Sequence, residues 1–112
     1  MQSNAMSFEA LKEHVNCPIV SAIKNIGGLW NLIIIRYLSE KPMGFNELLK
    51  TVDGLNSKTL SRVLKNLQAN DIIIRKIINT QPFLVQYSLT EKGEALKPVL
   101  DALRTWGESF QS

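Results

Sequence analysis

The segment from Asn56 to Asp71 constrains the fold more than any other part of the sequence. Four of its apolar residues recur at helical spacing on a single face: Leu60, Val63, Leu64 and Leu67. Asn56 follows the Asp53-Gly54 turn signal and is suited to accept hydrogen bonds from the free N–H groups of the first helical turn. The sequence therefore predicts an amphipathic α-helix that packs one face on a core.

Three cations fall on the opposite side of the same helix. At roughly 100° per residue, Lys58, Arg62 and Lys65 share this outer side, with Ser61 at the flank. A core-facing side and a basic outer side are the layout of a helix that enters a DNA major groove. They are also the layout of an ordinary surface helix with a solvated basic face, so the helix alone does not decide between the two.

The charge distribution favours a nucleic-acid partner. The chain has 112 residues, which fits one domain, and a formal net charge of +3. Residues 43–89 carry six positive and three negative charges, whereas residues 90–112 carry three positive and four negative charges. A basic middle and a slightly acidic tail suit a DNA-binding face opposed to an association face.

The remaining composition predicts a cytoplasmic location. The single cysteine rules out an internal disulfide framework and fits a reducing compartment. No apolar run reaches the about 18 residues of a membrane span, and the N-terminus lacks the basic start and apolar region of a signal peptide. Residues 1–5 resemble an expression-tag remnant before a native Met6.

Three helices are predicted ahead of the basic segment. The first, over residues 7–14, is short and amphipathic, with an apolar stripe of Phe8, Leu11 and Val15. The second starts at Pro18, where a missing N–H costs nothing, and ends at Gly27-Gly28. The third, over residues 29–40, is apolar nearly all round. Because a domain this small cannot cover its surplus face of Leu29, Leu32 and Ile35, it indicates oligomerisation.

A helix-turn-helix and a β-hairpin are predicted next. A short helix opens at residues 45–49 with Asn46 as its N-cap, and the Asp53-Gly54 turn joins it to the basic helix. After Asp71 the pattern changes to the alternation and β-branched enrichment of strands, with residues 72–77 and 85–89 as strands and 79–82 as the loop. A helix-turn-helix followed at once by a β-hairpin is a winged helix.

A long helix from Thr90 to about Phe110 closes the chain. Thr90 is suited to be its N-cap, and Pro98 is expected to bend it. Its apolar stripe has little of the domain left to pack against: Leu96, Val99, Leu100, Leu103 and Trp106. The predicted fold is mainly α with a small β-hairpin (α+β). It is a single winged helix-turn-helix domain over residues 6–112, with 43–89 as helix-turn-helix plus wing and extra N- and C-terminal helices for dimerisation.

Six short motifs, in this order, resemble the HxlR-type winged-helix transcription regulators. They are Cys17-Pro18, Gly27-Gly28-Leu29-Trp30, Phe45-Asn46-Glu47-Leu48, Leu60-Ser61-Arg62-Val63-Leu64, Tyr87-Ser88-Leu89-Thr90-Glu91-Lys92-Gly93 and Trp106. The resemblance implies a dimeric prokaryotic DNA-binding regulator whose terminal helices form the dimer and whose basic helix is the recognition helix. The chain departs from the family pattern at Leu29, where a Lys is common, and at Pro82-Phe83-Leu84, where a Pro-Pro-Arg-like stretch is usual. An apolar wing tip weakens the wing's electrostatic hold on phosphate.

The sequence identifies candidate residues for two surfaces. Those expected to contact DNA lie on the basic helix and at the base of the wing: Asn56, Ser57, Lys58, Ser61, Arg62, Lys65, Arg75 and Lys76. Those expected at the dimer interface are Phe8, Leu11, Val15, Leu96, Val99, Leu100, Leu103 and Trp106. No Ser-His-Asp pairing, phosphate loop or paired carboxylates appear, so neither an enzyme nor a cofactor is predicted. His14 has no second His and no Cys-x-x-Cys motif nearby, so no metal site is predicted.

Cys17 has two interpretations. As a thiol at a helix N-terminus it is placed to react with oxidants or electrophiles, and some members of the resembled family sense thiol chemistry at this Cys-Pro. As a small apolar residue beside Pro18 it is structural, and no basic neighbour in sequence supports a thiolate. The nature of an effector, redox agent or small molecule, stays open.

The sequence as a whole favours a homodimer that binds double-stranded DNA at a pseudo-palindromic operator and regulates transcription. One alternative is a winged helix used as a protein-interaction module, which the apolar wing tip favours. Another is non-specific nucleic-acid binding. A gel shift on the chain's own upstream DNA, with and without excess competitor, separates the three.

Overall fold

The computed structural model describes residues 17–111. The predicted helix over residues 7–14, with Phe8, Leu11, Val15 and His14, lies outside this range. In chain order the elements are the helices α1 (Pro18–Ile26), α2 (Leu29–Leu38), α3 (Phe45–Thr51) and α4 (Ser57–Ala69), the strands β1 (Ile73–Thr80) and β2 (Phe83–Leu89), and the helices α5 (Glu91–Glu94) and α6 (Lys97–Ser109). Helices α3 and α4 form the helix-turn-helix and the β-hairpin forms the wing, so the predicted fold is confirmed.

The core is built from the inner faces of α2, α3 and α4 and from the start of the wing. Its buried apolar residues are Ile34, Ile35, Leu38, Met43, Leu48, Val52, Leu60, Val63, Leu64, Leu67, Ile72 and Ile73. The prediction that Ile35 lies on an uncovered face is wrong, because α2 contacts α4 and β2 and Ile35 is fully buried. Leu29, at the start of the same helix, is exposed.

A reversal of the chain at Asp71 places the wing directly beside α4. Asp71 adopts a φ of 60°, a left-handed conformation that Asp tolerates better than most residues. The N–H of Ile72 donates to the carbonyl of Leu67 at 2.9 Å, and the N–H of Asp71 donates to the carbonyl of Gln68 at 3.0 Å. Since Ile72 and Leu67 are both buried, these bonds and the apolar contact close the helix as a Schellman motif does.

The wing is a two-stranded antiparallel hairpin. Its register runs from Ile73 opposite Leu89 to Thr80 opposite Phe83, with an irregularity between Ile77 and Asn79. The predicted loop over residues 79–82 is too long, because Asn79 and Thr80 pair with Leu84 and Phe83. The hairpin is tied to the rest of the domain by Met43, which exchanges backbone hydrogen bonds of 3.1 and 2.8 Å with Tyr87.

The N-cap of α3 lies two residues earlier than predicted. Gly44 is the N-cap, and its carbonyl accepts the N–H of Leu48 at 3.0 Å. The helix therefore begins at Phe45, and the prediction of Asn46 as N-cap is wrong. Gly44 has extended backbone, which brings it beside β2: a Cβ there would lie 3.0 Å from the carbonyl oxygen of Val85.

The single long C-terminal helix of the prediction is two helices. α5 ends at Glu94 and α6 begins at Lys97. Pro98 lies in the first turn of α6, where its missing N–H is harmless. Pro98 has no N–H to donate to the carbonyl of Glu94, so the helix is interrupted ahead of Pro98, where the prediction has one bent helix.

A membrane-spanning helix needs both length and an apolar composition. Among residues 17–111, no single helix is long and apolar enough to cross a membrane. The helices α1 and α2 taken together are long and apolar enough, by length and composition only, but the chain bends by 79° between them. In this domain Ile34, Ile35 and Leu38 of α2 are buried among the other elements, as expected of a core helix.

Candidate nucleic-acid interface

The start of α4 is fixed by a side-chain cap and a tight turn. Asn56 Oδ1 accepts the N–H of Thr59 at 2.8 Å, which confirms Asn56 as the N-cap. Gly54 has a φ of 80°, and a Cβ at this position would lie 3.8 Å from the ring of Trp30. The turn between α3 and α4 therefore packs against α2, which holds the first turn of α4 at a defined place on the surface.

The outer face of α4 carries cations without acidic partners. Leu60, Val63, Leu64 and Leu67 are buried beneath the helix. The polar residues predicted to contact DNA from this helix are exposed: Asn56, Ser57, Lys58, Ser61, Arg62 and Lys65. Among the described residues, ion pairs are formed by Lys41, Lys97 and Arg104, and none by the three cations of α4. Their charge is therefore available to an anion outside the protein.

The two cations at the base of the wing lie on different faces of the hairpin. Arg75 and Lys76 are exposed, opposite Tyr87 and Gln86 respectively. Successive side chains of a strand point to opposite faces, so a surface lying against one side of the wing meets only one of the two. From the sequence alone the two cations form one candidate contact with phosphate, because they are adjacent. In a strand the same adjacency places their side chains on opposite faces.

The wing tip carries no charge and exposes apolar side chains beside the polar Asn79, Thr80 and Gln81. Ile77, Ile78, Phe83 and Leu84 are all exposed. Residues 77–90 contain no charged side chain. A phosphate contact by the tip would therefore have to come from neutral donors, and much of the surface that the tip offers is apolar.

Hydrogen bonds from Thr90 and Lys92 form a clamp on the C-terminal end of α4, which the sequence does not predict. Thr90 Oγ1 donates to the carbonyl of Asp71 at 2.6 Å and accepts the N–H of Gly93 at 3.1 Å. Lys92 Nζ donates to the carbonyl of Asn70 at 2.8 Å. These bonds connect the end of β2 and the first turn of α5 to the C-terminus of α4.

Gly93 completes the clamp by its lack of a side chain. A Cβ at Gly93 would overlap the carbonyl oxygen of Ile72 and would lie 3.1 Å from Leu89 Cβ. The sequence contains one signal for this clamp: the N-cap residue Thr90 is followed three residues later by Gly93. Because Gly disfavours helices, a Gly inside the first helical turn indicates close packing at that position. Thr90 was predicted only as an N-cap, which the bond from Gly93 confirms.

An ion pair holds the segment between α2 and α3. Lys41 Nζ lies 2.8 Å from Glu47 Oε2, in the first turn of α3. The hydrogen bond and the charge of Lys41, together with a hydrogen bond from the Gly44 backbone, lower the pKa of Glu47 below its usual value, although partial desolvation opposes them. A lowered pKa in the folded state adds stability above the ordinary pKa of Glu, and this contribution is lost as the pH falls through the folded-state pKa.

Cys17 sits at the start of α1. It is the N-cap residue of α1, it is half-buried, and its side chain makes no capping hydrogen bond. Its carbonyl accepts the N–H of Ser21 at 2.9 Å. The position agrees with both interpretations of this thiol.

The predicted apolar stripe of the last helix is partly buried against the core and partly exposed to solvent. Leu96 and Leu100 are partly buried against the core. Val99, Leu103 and Trp106 are exposed. The centroids of the Trp106 and Phe110 rings lie 5.4 Å apart. Ile19, Ile23 and Phe110 are further exposed apolar residues that the prediction of the interface left out.

Comparisons with known proteins agree with this geometry. The sequence model of the family described as HxlR-like helix-turn-helix matches residues 25–112. The HTH-type transcriptional regulator YodB of Bacillus subtilis is 37% identical over 95 residues, which cover 84% of this chain and 85% of YodB. An HTH-type regulator of Methanothermobacter thermautotrophicus is 32% identical over 96 residues, which cover 86% of this chain and 73% of the regulator.

Solved structures of two regulators have the same fold. The reduced form of YodB superposes with a TM-score of 0.76 and 36% identity, covering 86% of this chain and 95% of YodB. The oxidised form of the redox regulator HypR superposes with a TM-score of 0.77 and 31% identity, covering 86% of this chain and 99% of HypR. YodB has also been solved after diamide treatment and with a bound quinone.

Proposed function

The chain belongs to the HxlR-like helix-turn-helix family of transcriptional regulators, and from this premise we propose that it acts as a homodimer on a pseudo-palindromic operator. Each protomer places the outer face of α4 in a major groove, and the wing lies against the neighbouring backbone or minor groove. The site of action is the cytoplasm, where the DNA of a prokaryotic cell lies.

The observation that carries this proposal is the uncompensated charge on the outer face of α4. Lys58, Arg62 and Lys65 are exposed and form no ion pair with a described residue, while the opposite face of the helix is fully anchored. Phosphate contacts from such cations supply sequence-independent affinity, and an Arg in the groove adds base recognition. The cap at Asn56 and the clamp at Thr90 fix both ends of the helix, which gives the cations a defined register on the duplex.

A gel shift on the chain's own upstream DNA tests the proposal. A shift that survives excess non-specific competitor supports sequence-specific binding. A shift that competitor abolishes indicates non-specific nucleic-acid binding instead. No shift at all favours the protein-interaction module, for which the exposed Ile77, Ile78, Phe83 and Leu84 of the wing tip are the supporting observation.

The homodimer is supported by two exposed apolar faces. One lies on α1, where Ile19 and Ile23 are exposed, and the other on α6, where Trp106 and Phe110 are about as exposed. A groove between α2 and α6 continues the second face. Its lining is Leu32, Ile33, Leu100 and Leu103 together with the two cations Arg36 and Arg104. A two-fold axis would bury such faces against each other. Binding to two successive turns of one face of the duplex requires the two α4 helices of that dimer to lie about 34 Å apart.

Trp106→Ala is expected to weaken dimerisation and DNA binding together. A buried Trp at an interface is a frequent hot spot, so the dissociation constant of the dimer should rise about 30-fold, or ~2 kcal/mol. Sedimentation at several concentrations measures the first effect and a gel shift the second. Glu108→Ala, an exposed position on the same helix, is the matched control and should change neither. A monomer at micromolar concentration in the unmutated protein would contradict the dimer.

We further propose that Cys17 is the point at which thiol chemistry acts on this regulator. The support is its position at the α1 N-terminus, next to the exposed apolar face of α1, and the redox and quinone forms known for HypR and YodB. Diamide joins two thiols in a disulfide and takes up their two hydrogens. Because each chain has one cysteine, that disulfide would join two protomers.

Diamide is expected to change the operator affinity of the native protein and to leave Cys17→Ser unaffected. Gel shifts of both proteins, with and without diamide, measure this difference, and a non-reducing gel detects the joined protomers. Equal responses in the two proteins, or no response in either, return Cys17 to a structural role.

A further inference from the structure

An apolar cleft is lined by residues of α1, the start of the wing and the segment around α5, and by none of α4. It has a volume of about 340 Å³ and opens between α1 and α5. Pro18, Ala22 and Ile26 form one wall, and Ile72 and Leu96 form the other. At about 30 Å³ per water this volume holds roughly eleven waters, so a ligand of about ten heavy atoms would fill it. That places the cleft at the small end of ligand pockets, which begin at about 300 Å³.

A single cation stands at the edge of this cleft. Lys92 lines it, and Lys92 Nζ donates to Asn25 Oδ1 and to the carbonyl of Asn70, each at 2.8 Å. Both acceptors are neutral, and among residues 17–111 no carboxylate forms an ion pair with Lys92. An ammonium group has three N–H donors, so one remains for a further acceptor. The charge is thus held in place and left uncompensated beside apolar surface.

We propose that this cleft binds a small organic anion, a monocarboxylic acid with an apolar chain of about eight carbons. The apolar chain occupies the space between α1 and Leu96, and the carboxylate accepts the free N–H of Lys92. One cation and little other polar surface suit one carboxylate, whereas a phosphate group would need more donors than the cleft offers. The cleft is separate from the outer face of α4, so the inference does not rest on DNA binding.

The place of Lys92 gives such a ligand a route to the recognition helix. Asn70 is the C-cap of α4, and its side-chain amide also donates to the carbonyl of Asn66 at 3.0 Å. Asn25 belongs to α1 and donates to the carbonyl of Ser21 at 3.0 Å. A carboxylate on Lys92 therefore joins a network of hydrogen bonds that runs from α1 to the end of α4.

Calorimetric titration of the full chain with octanoate tests the inference, with 1-octanol as the neutral match. We expect saturable binding of octanoate, and binding at least about tenfold weaker for 1-octanol because it lacks the charge-assisted hydrogen bond. Lys92→Gln should weaken octanoate binding by about tenfold, and Lys92→Arg should retain most of it.

A second variant is needed because Lys92→Gln also changes the clamp on α4, so weaker octanoate binding by that variant has two possible causes. Ala22→Phe fills the cleft from an exposed position of α1 while Lys92 itself is unchanged, and should abolish octanoate binding. Ala69→Phe, an exposed position that does not line the cleft, is the matched control and should bind as the native protein does. Absence of saturable binding, undiminished binding by Ala22→Phe, or equal binding of 1-octanol would each overturn the inference. None of these results bears on the gel shift.

Discussion

Arg62→Ala should weaken binding to the operator by about 1–3 kcal/mol and relax the base preference at one position in each half-site. Arg62 lies on the outer face of α4, one turn after Lys58. The first turns of a recognition helix point into the groove, and the planar guanidinium can pair two acceptors of one guanine, which an ammonium cannot do in the same way. The decrease in affinity should therefore be larger on the operator than on scrambled DNA.

Lys65→Ala is the matched control on the same face of the helix. Lys65 lies almost a further turn along α4, where it is expected to meet a phosphate, so the variant should weaken binding to all sequences alike. Its salt dependence should flatten by roughly one unit of slope for each phosphate that is no longer neutralised. Binding curves for both variants on operator and scrambled DNA, at two salt concentrations, measure these differences. If Arg62→Ala binds as the native protein does, the cations of α4 are solvated surface.

The wing extends the same experiment. From the sequence alone, Arg75→Ala and Lys76→Ala are both expected to behave like Lys65→Ala, with a uniform decrease in affinity and a flatter salt dependence, but the structure leaves this expectation for only one of the two. Because the two residues lie on opposite faces of β1, the larger change should come from the one on the DNA side. That comparison identifies the face of the wing that meets the duplex.

Gly93→Ala should destabilise the domain by about 2–3 kcal/mol. The added methyl group overlaps the backbone carbonyl of Ile72, and neither α5 nor the start of β1 can move without breaking the bonds of Thr90 and Lys92. In a domain of this size the melting temperature should fall by about 10–20 °C. Thermal unfolding followed by circular dichroism measures the fall.

Gly28→Ala is the matched control for Gly93→Ala. Gly28 has extended backbone, and a Cβ there meets nothing within 4 Å. Its stability should stay within about 0.5 kcal/mol of the native protein. Equal melting temperatures for Gly93→Ala and Gly28→Ala would show that the clamp accommodates the added methyl group with no loss of stability.

Local features were predictable because their causes are local. The spacing of Leu60, Val63, Leu64 and Leu67 and the cap at Asn56 place α4 correctly, since both act within one or two turns of the same helix. The change of period after Asp71 predicts the wing for the same reason, because alternation is a property of neighbouring residues. The basic outer face of α4, on which the proposed function depends, is fixed by the same spacing.

The start of α3 and the ends of the strands show where local reasoning stops. The sequence favours Asn46 as a cap, yet Gly44 takes the position because its backbone also lies against β2, an element about forty residues further on. Likewise Asn79 and Thr80 favour a loop, but cross-strand pairing with Leu84 and Phe83 carries the ladder through them.

The sequence by itself determined which segments are helices and strands, which faces are apolar and which helix carries a row of cations on its outer side. Tertiary structure alone decided that Ile35 is covered, that Thr90 and Gly93 clamp the end of α4, and that Lys92 stands beside an apolar cleft. The bond from Thr90 to Asp71 joins residues 19 positions apart, across the whole wing. Such contacts depend on how complete elements pack together, whereas helical and strand periodicity depend on residues one to four positions apart.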